Sequence, residues 1–154
     1  MKNSLVRMFP AILILGALGA GVWSYFYEPV VQASEITVYK SPSCGCCGNW
    51  VDHVRDNGFS VKVVNREDLT SIKRENGVPS VLQSCHTALV DGYVVEGHVP
   101  ANDIIRLLTE KPKARGLAVP GMPIGSPGME QGDEKEPYPV VIFGDSGMDV
   151  YARY

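Results

Sequence analysis

The sequence predicts a single α/β domain with a mixed sheet flanked by helices, and three observations predict it. β-branched runs with strand alternation recur from residue 35 onward. Stretches with helical spacing separate the first of these runs. Asp91-Gly92 lies between two short apolar runs, where it reads as a hairpin turn. The resulting order is β-α-β-α-β-β-α, followed by a loop rich in glycine and proline and a closing hairpin. The opening β-α-β implies a parallel pair with a right-handed crossover. The hairpin adds antiparallel strands, so the sheet is mixed.

Glu35 to Lys40 alternates and is β-branched, which predicts the first strand. Ser41-Pro42-Ser43 breaks it. Trp50, Val51 and Val54 recur at helical spacing from about Cys47 to Asn57, and Gly58 supplies the stop. Phe59 to Val64 reads as the second strand. Asp68 is placed to cap a short helix through about Glu75, ended by Asn76-Gly77. Val78 to Leu82 reads as the start of a third strand, with Pro79 at its first residues or on an edge. Thr87 to Val90 and Tyr93 to Val95 flank the Asp91-Gly92 turn. Pro100 to Asp103 opens a helix with Ile104, Ile105, Leu107 and Leu108 on its buried face, and Pro112 stops it. Gly116 to Gly132 reads as an ordered irregular loop. Tyr138 to Phe143 and Asp149 to Tyr154 form the final hairpin. The expected organisation is residues 34–112 as the core, with residues 113–154 as a loop and hairpin packed on the same domain.

Residues 1–33 read as a signal peptide or an N-terminal membrane anchor. Lys2 and Arg7 precede an apolar stretch from Phe9 to Trp23, and Val31-Gln32-Ala33 fits the small-x-small cleavage pattern. The aromatic cluster Trp23, Tyr25, Phe26 and Tyr27 suits a membrane interface and favours the anchor. Both alternatives export the chain from Ser34 onward, so the expected location is the periplasm, with an inner-membrane tether if the segment stays. Membrane contact is expected through this segment alone. A net charge of −3 without a lysine or arginine cluster argues against nucleic-acid binding. A hydrophobic fraction of 45% allows a true core, so the four cysteines are not needed as staples. No Ser-His-Asp set, phosphate loop or calcium loop has local support.

The chemistry concentrates in Cys44-Gly45-Cys46-Cys47, between the first strand and the first helix, with Cys85 far along the chain. Thiolate is both ligand and nucleophile, and a helix N-terminus favours it. Adjacent cysteines do not easily aim both sulfurs at one ion, but they can serve two neighbouring metals or bridge them. Soft sulfur suits Cu(I), zinc or iron–sulfur. Three clustered cysteines and a distant fourth depart from the paired spacing of a structural zinc site. Thiol–disulfide exchange, with Cys44 attacking and Cys47 resolving, is a second reading. Plain disulfides in an oxidising compartment are a third.

The element order, the C-x-x-C of Cys44 and Cys47, and Gly77-Val78-Pro79 resemble the thioredoxin fold, in which that loop carries a cis-proline facing the cysteines. Six segments are closer still to one family: residues 39–47, Gly77-Val78-Pro79, Ser84-Cys85-His86-Thr87, Gly92-Tyr93, residues 96–100 and residues 116–123. Together they resemble the CopG-type copper-resistance proteins, exported thioredoxin-like proteins of Gram-negative bacteria. The resemblance implies copper in a multinuclear cluster held by Cys44, Cys46, Cys47 and Cys85. It further implies a redox role in copper tolerance, cycling between Cu(I) and Cu(II) as a copper-dependent oxidoreductase; a non-enzymatic copper carrier, whose copper keeps one oxidation state, is the alternative. Copper ions and an exported copper-handling or electron-transfer protein are the partners it implies.

In thioredoxin-like folds the corner that would hold His98 lines the active-site groove, which makes His98 a candidate ligand. Met122 is a soft thioether on the irregular loop and a further candidate, with Met129 behind it. His53 lies about 9 Å along the helix from Cys47, too far to share a ligand set, and reads as a structural or surface residue. His86 is the lesser candidate, because adjacent strand residues point to opposite faces and Cys85 takes the inward place.

Overall fold

The computed structural model describes residues 34–154. The leader expected at residues 1–33 lies outside the described residues. Among the described residues no helix is long and apolar enough to cross a membrane.

Strand β1 spans Glu35–Lys40 and buries Ile36, Val38 and Lys40 on one face, as its alternation requires. Helix α1 spans Gly45–Asp56 and buries Cys47, Trp50, Val51 and Val54. It stops where the Gly58 N–H donates to Arg55 O at 2.9 Å, with Gly58 at φ +89°. Strand β2 spans Ser60–Asn65 and pairs in parallel with β1. Helix α2 spans Thr70–Glu75, and the Asp68 carboxylate accepts from the Thr70 N–H at its start, 2.8 Å away.

The strand expected at Val78 to Leu82 is not formed. Ser80–Leu82 is a 3₁₀ turn in which the Leu82 N–H donates to the Pro79 carbonyl at 2.9 Å, and Val81 is 69% exposed. An apolar run too short to show periodicity, placed after Gly77 and Pro79, is satisfied by a turn. The expected cis-proline is also absent, since the described residues contain no cis peptide bond.

Strands β3 (His86–Val90) and β4 (Tyr93–Glu96) form the hairpin about Asp91-Gly92. Helix α3 spans Ala101–Glu110 and buries Ile104 and Leu107, whereas Ile105 is exposed, contrary to expectation. Strand β5, Gly116–Ala118, pairs in parallel with β4 inside the stretch expected to be irregular. Three residues are too few for alternation to register in sequence. Strands β6 (Pro139–Gly144) and β7 (Gly147–Arg153) close the sheet.

The seven-stranded mixed sheet has the order β2-β1-β3-β4-β5-β6-β7. Its main core joins Trp50, Val51 and Val54 of α1 and Ile104 and Leu107 of α3 to Ile36, Val38, Ala88, Val95 and Leu117 of the sheet. A smaller cluster joins Val78 and Leu82 to Val94, Ala118 and Phe143. The Trp50 indole N–H donates to Val99 O at 2.9 Å and ties α1 to the chain entering α3. His53 is structural, as expected: its Nε2 accepts from the Ala101 N–H at 3.1 Å, at the start of α3.

The loop after β5 folds back over the start of α1, and Ser126, Pro127 and Gly128 are buried. Gly128 has φ +85°, and a Cβ there would lie 2.7 Å from both Cys46 O and Trp50 N. Gly121 has φ +72° with open space around it. Backbone strain alone costs roughly 1–3 kcal/mol at either position. Thermal unfolding will therefore separate the two: Gly128→Ala lowers Tm clearly more than Gly121→Ala, because it must also push the loop off the helix. Equal losses would contradict this packing.

Candidate metal centre

The site is built where β1 ends and β3 begins. These strands pair antiparallel, with Lys40 opposite His86, so the turn after Lys40 and the residue before His86 meet. The Ser41 carbonyl opens the turn and takes two donors, the Lys40 ammonium at 2.8 Å and the Cys44 N–H at 3.1 Å. Cys44 is the N-cap residue of α1, with no side-chain capping bond and no acidic residue in the first turn. The positive end of the helix dipole is therefore left to the sulfurs.

Cys44, Cys46, Cys47 and Cys85 converge, with all four sulfurs within 4.8 Å of one another. Cys44 and Cys47 are joined as a disulfide with their Cα atoms 5.4 Å apart, while Cys46 and Cys85 are free. The Cys46 sulfur lies 3.5 Å from that of Cys44. Cys47 is fully buried and contacts the Cys85 carbonyl at 3.8 Å. Cys85 and Cys47 are 38 positions apart in sequence, and strand pairing closes that distance.

His98 reaches the same point from the end of β4. Its Nε2 lies 3.0 Å from the Cys85 sulfur, and its Nδ1 lies 2.8 Å from the Pro127 carbonyl. A carbonyl only accepts, so Nδ1 carries the proton and Nε2 presents its lone pair to the cysteines. A carbonyl that orients an imidazole in this way is the usual support for a metal-binding histidine. The loop that packs on α1 thus also sets the tautomer of His98.

His86 comes closer to the site than strand alternation allows. Its Nδ1 is 3.4 Å from the Cys85 sulfur, and Cys85, His86 and His98 form a second converging set. Cys85 precedes β3, so the two-face alternation expected to separate it from His86 does not apply. The His86 ring packs against Trp50, with centroids 4.4 Å apart, and is edge-on to His98 at 5.1 Å. Its buried Nε2 has no hydrogen-bond partner among the described residues.

Burial shapes the charge of these groups. Desolvation, reinforced by the neighbouring Cys46, pushes the Cys85 thiol up to about 12. Burial holds the His98 imidazole below its ordinary value despite the Pro127 bond. Burial, followed by His98, Lys73 and Lys40, holds His86 well below it. The surroundings thus favour the neutral form of each group. Neutral imidazoles and soft sulfurs at this spacing suit a soft or borderline cation.

Met122 is 52% exposed. It follows Gly121, whose carbonyl accepts from the Ser84 hydroxyl at 2.5 Å, one residue from Cys85. Met129 is half-buried in the same loop. A surface cavity lined by Gly92, Lys113, Arg115, Asp145 and Ser146 lies at the hairpin-turn end of β3 and β4, away from the sulfurs.

A family model described as "Protein of unknown function, DUF411" matches residues 82–129, the span from the 3₁₀ turn through Cys85 and His98 to Met129. A search of curated proteins gave no match. Two solved structures are similar along most of the chain. One is titled "Copper resistance protein copG- Form 2", with 46% identity over 79% of this chain and 98% of that one, at a TM-score of 0.76. The other is titled "Copper resistance protein copG- Form 1", with 47% identity over 78% of this chain and 96% of that one, at a TM-score of 0.74.

The pairing of the sulfurs makes a direct prediction. Air-oxidised, metal-free protein will titrate with two free thiols per chain in denaturant, and peptide mapping will link Cys44 to Cys47. A Cys46–Cys85 link would contradict the arrangement.

Proposed function

The chain belongs to the CopG family of copper-resistance proteins, and on that premise we propose that it binds copper through Cys44, Cys46, Cys47, Cys85 and His98 and serves copper resistance. The observation that carries this reading is the convergence of four sulfurs, joined by a histidine nitrogen whose tautomer is already set for a ligand. In this reading the site holds more than one copper, because adjacent Cys46 and Cys47 serve neighbouring ions more readily than one. Copper supplies a one-electron Cu(I)/Cu(II) couple. The protein would supply the rest: the sulfur donors of the four cysteines, an oriented imidazole, and a buried setting in which Trp50 and the 126–128 loop limit water. Met122 on the adjoining loop is a further soft donor.

The resting state of the sulfurs gives metal loading a proton cost. A thiol is protonated near neutral pH and burial pushes Cys85 further up, to about 12, so binding through its thiolate releases a proton. Cys44 and Cys47 must be reduced before they ligate. The working location in this reading is the periplasm, with an inner-membrane tether if residues 1–33 are retained. The partner is an exported copper-handling or electron-transfer protein. Support comes from Lys2, Arg7 and the apolar stretch from Phe9 to Trp23.

Metal analysis of protein purified from copper-fed cells tests the reading. We expect more than one copper per chain, and Cys85→Ser should lose most of it. Less than one copper per chain, with all four cysteines intact and reduced, would overturn the proposal.

A second reading is favoured by the Cys44–Cys47 disulfide at the start of α1, the arrangement of a thiol–disulfide oxidoreductase. Cys44 would then attack a substrate disulfide, and Cys47 would resolve the mixed disulfide. Insulin reduction by metal-free protein separates the two. The copper reading predicts little turnover, whereas robust turnover that survives Cys85→Ser would favour the exchange reading.

A further inference from the structure

Two residues of the metal centre, Cys85 and His98, sit on segments that regular strand pairing does not hold. Cys85 lies in the short stretch between the 3₁₀ turn and β3, and His98 lies just beyond β4. One buried carboxylate stands where the two segments cross. Glu96, the last residue of β4, is fully buried. Its Oε1 accepts from the Ser84 N–H at 2.7 Å and from the Lys73 ammonium at 2.5 Å. Its Oε2 accepts from the Thr87 hydroxyl at 2.7 Å, and Thr87 in turn accepts from Lys73 at 3.1 Å. Lys73 is itself buried, on α2. The network therefore ties α2, β3 and β4 to the backbone immediately before Cys85.

The close approach that this requires is built into the chain. Gly97 has φ +71°, and a Cβ there would fall 2.7 Å from Ser84 Cβ and 2.8 Å from Val119 O. Only glycine lets Ser84 come against the end of β4. The Ser84 hydroxyl then donates to Gly121 O, so one residue joins the Cys85 segment both to Glu96 and to the loop bearing Met122.

We propose that Glu96 is a positioning residue for the metal centre: its carboxylate, kept in place by Lys73, fixes the Ser84 backbone and thereby aims the Cys85 sulfur at the other cysteines and His98. A buried ion pair is seldom the cheapest way to stabilise a core, because desolvation offsets much of the attraction. Its use here is geometric. Glu96 supplies an acceptor for an N–H that no strand partner satisfies, and Lys73 makes the burial of that acceptor tolerable. The proposal rests on the copper reading only for what Cys85 binds; the aiming of the sulfur is a property of the metal-free protein.

Removing one charge alone would leave the other buried and unpaired, and such a variant could fail to fold. Two double variants avoid this. Glu96→Leu with Lys73→Met removes both charges and the acceptor. Glu96→Gln with Lys73→Met removes both charges but keeps an amide oxygen for the Ser84 N–H. Reduced, metal-free protein is treated with iodoacetamide, and alkylation of Cys85 is followed by peptide mass spectrometry, with thermal unfolding confirming that each variant folds. We expect the leucine variant to alkylate at Cys85 at least tenfold faster than the parent and the glutamine variant to restore a rate near the parent's. Cu(I) titration against a chromophoric chelator should rank the variants in the same order. Equal Cys85 rates in the leucine variant and the parent would overturn the proposal, as would equal acceleration in both doubles, which would assign the effect to the ion pair and not to the acceptor. Failure of the parent itself to bind Cu(I) would instead count against the copper reading and leave the alkylation result to decide the positioning claim.

Discussion

Everything at the centre depends on one antiparallel pairing, that of β1 with β3. Its register sets Lys40 opposite His86. The residue after one strand and the residue before the other are then neighbours, although they are far apart in sequence. Because the strands are antiparallel, the helix-initiating turn leaves β1 at the same end of the sheet where Cys85 enters β3. A one-residue slip in this register would turn His86 and its neighbours to the opposite face. The pairing is therefore a condition for the site as well as for the fold, and the apolar residues Ile36, Val38, Ala88 and Val90 in the core specify it.

Around that pairing, the other elements restrict the donors. The 126–128 loop presses on the first turn of α1 and gives His98 a carbonyl partner, and Trp50 anchors the same helix to Val99 while covering His86. The result is a set of donors whose neutral form burial favours: Cys85 pushed up to about 12, His98 and His86 pushed down. In such surroundings neither thiolate nor imidazolium is comfortable. A bound cation changes the balance, since it compensates the charge of deprotonated sulfur at the place where water cannot. This is the physical basis on which burial and metal binding are compatible at one site.

Much of this is legible in the sequence. Alternation marks β1, helical spacing marks α1 and α3, and Asp91-Gly92 marks the hairpin. The cysteine turn announces its chemistry through residue type alone, and the matched segments point to the family. Other features depend on contacts that a linear reading does not contain. β5 is three residues long and becomes a strand only because β4 and β6 lie on either side of it. Val78 to Leu82 has strand-like composition, but its backbone is satisfied by a local turn. His86 looks remote from the sulfurs only if Cys85 is a strand residue, and Cys85 lies before the strand begins. Glu96 and Lys73 carry no signal at all: a lone glutamate and a lone lysine 23 positions apart look like surface residues until the fold buries them together.

The most direct test of copper binding at the four sulfurs is anomalous scattering at the copper edge from crystals of copper-loaded protein. We expect two or more copper peaks within bonding distance of the sulfurs of Cys44, Cys46, Cys47 and Cys85, with one also bonded to Nε2 of His98. Copper bound elsewhere on the surface, with the Cys44–Cys47 disulfide intact and no peak at Cys85, would contradict it.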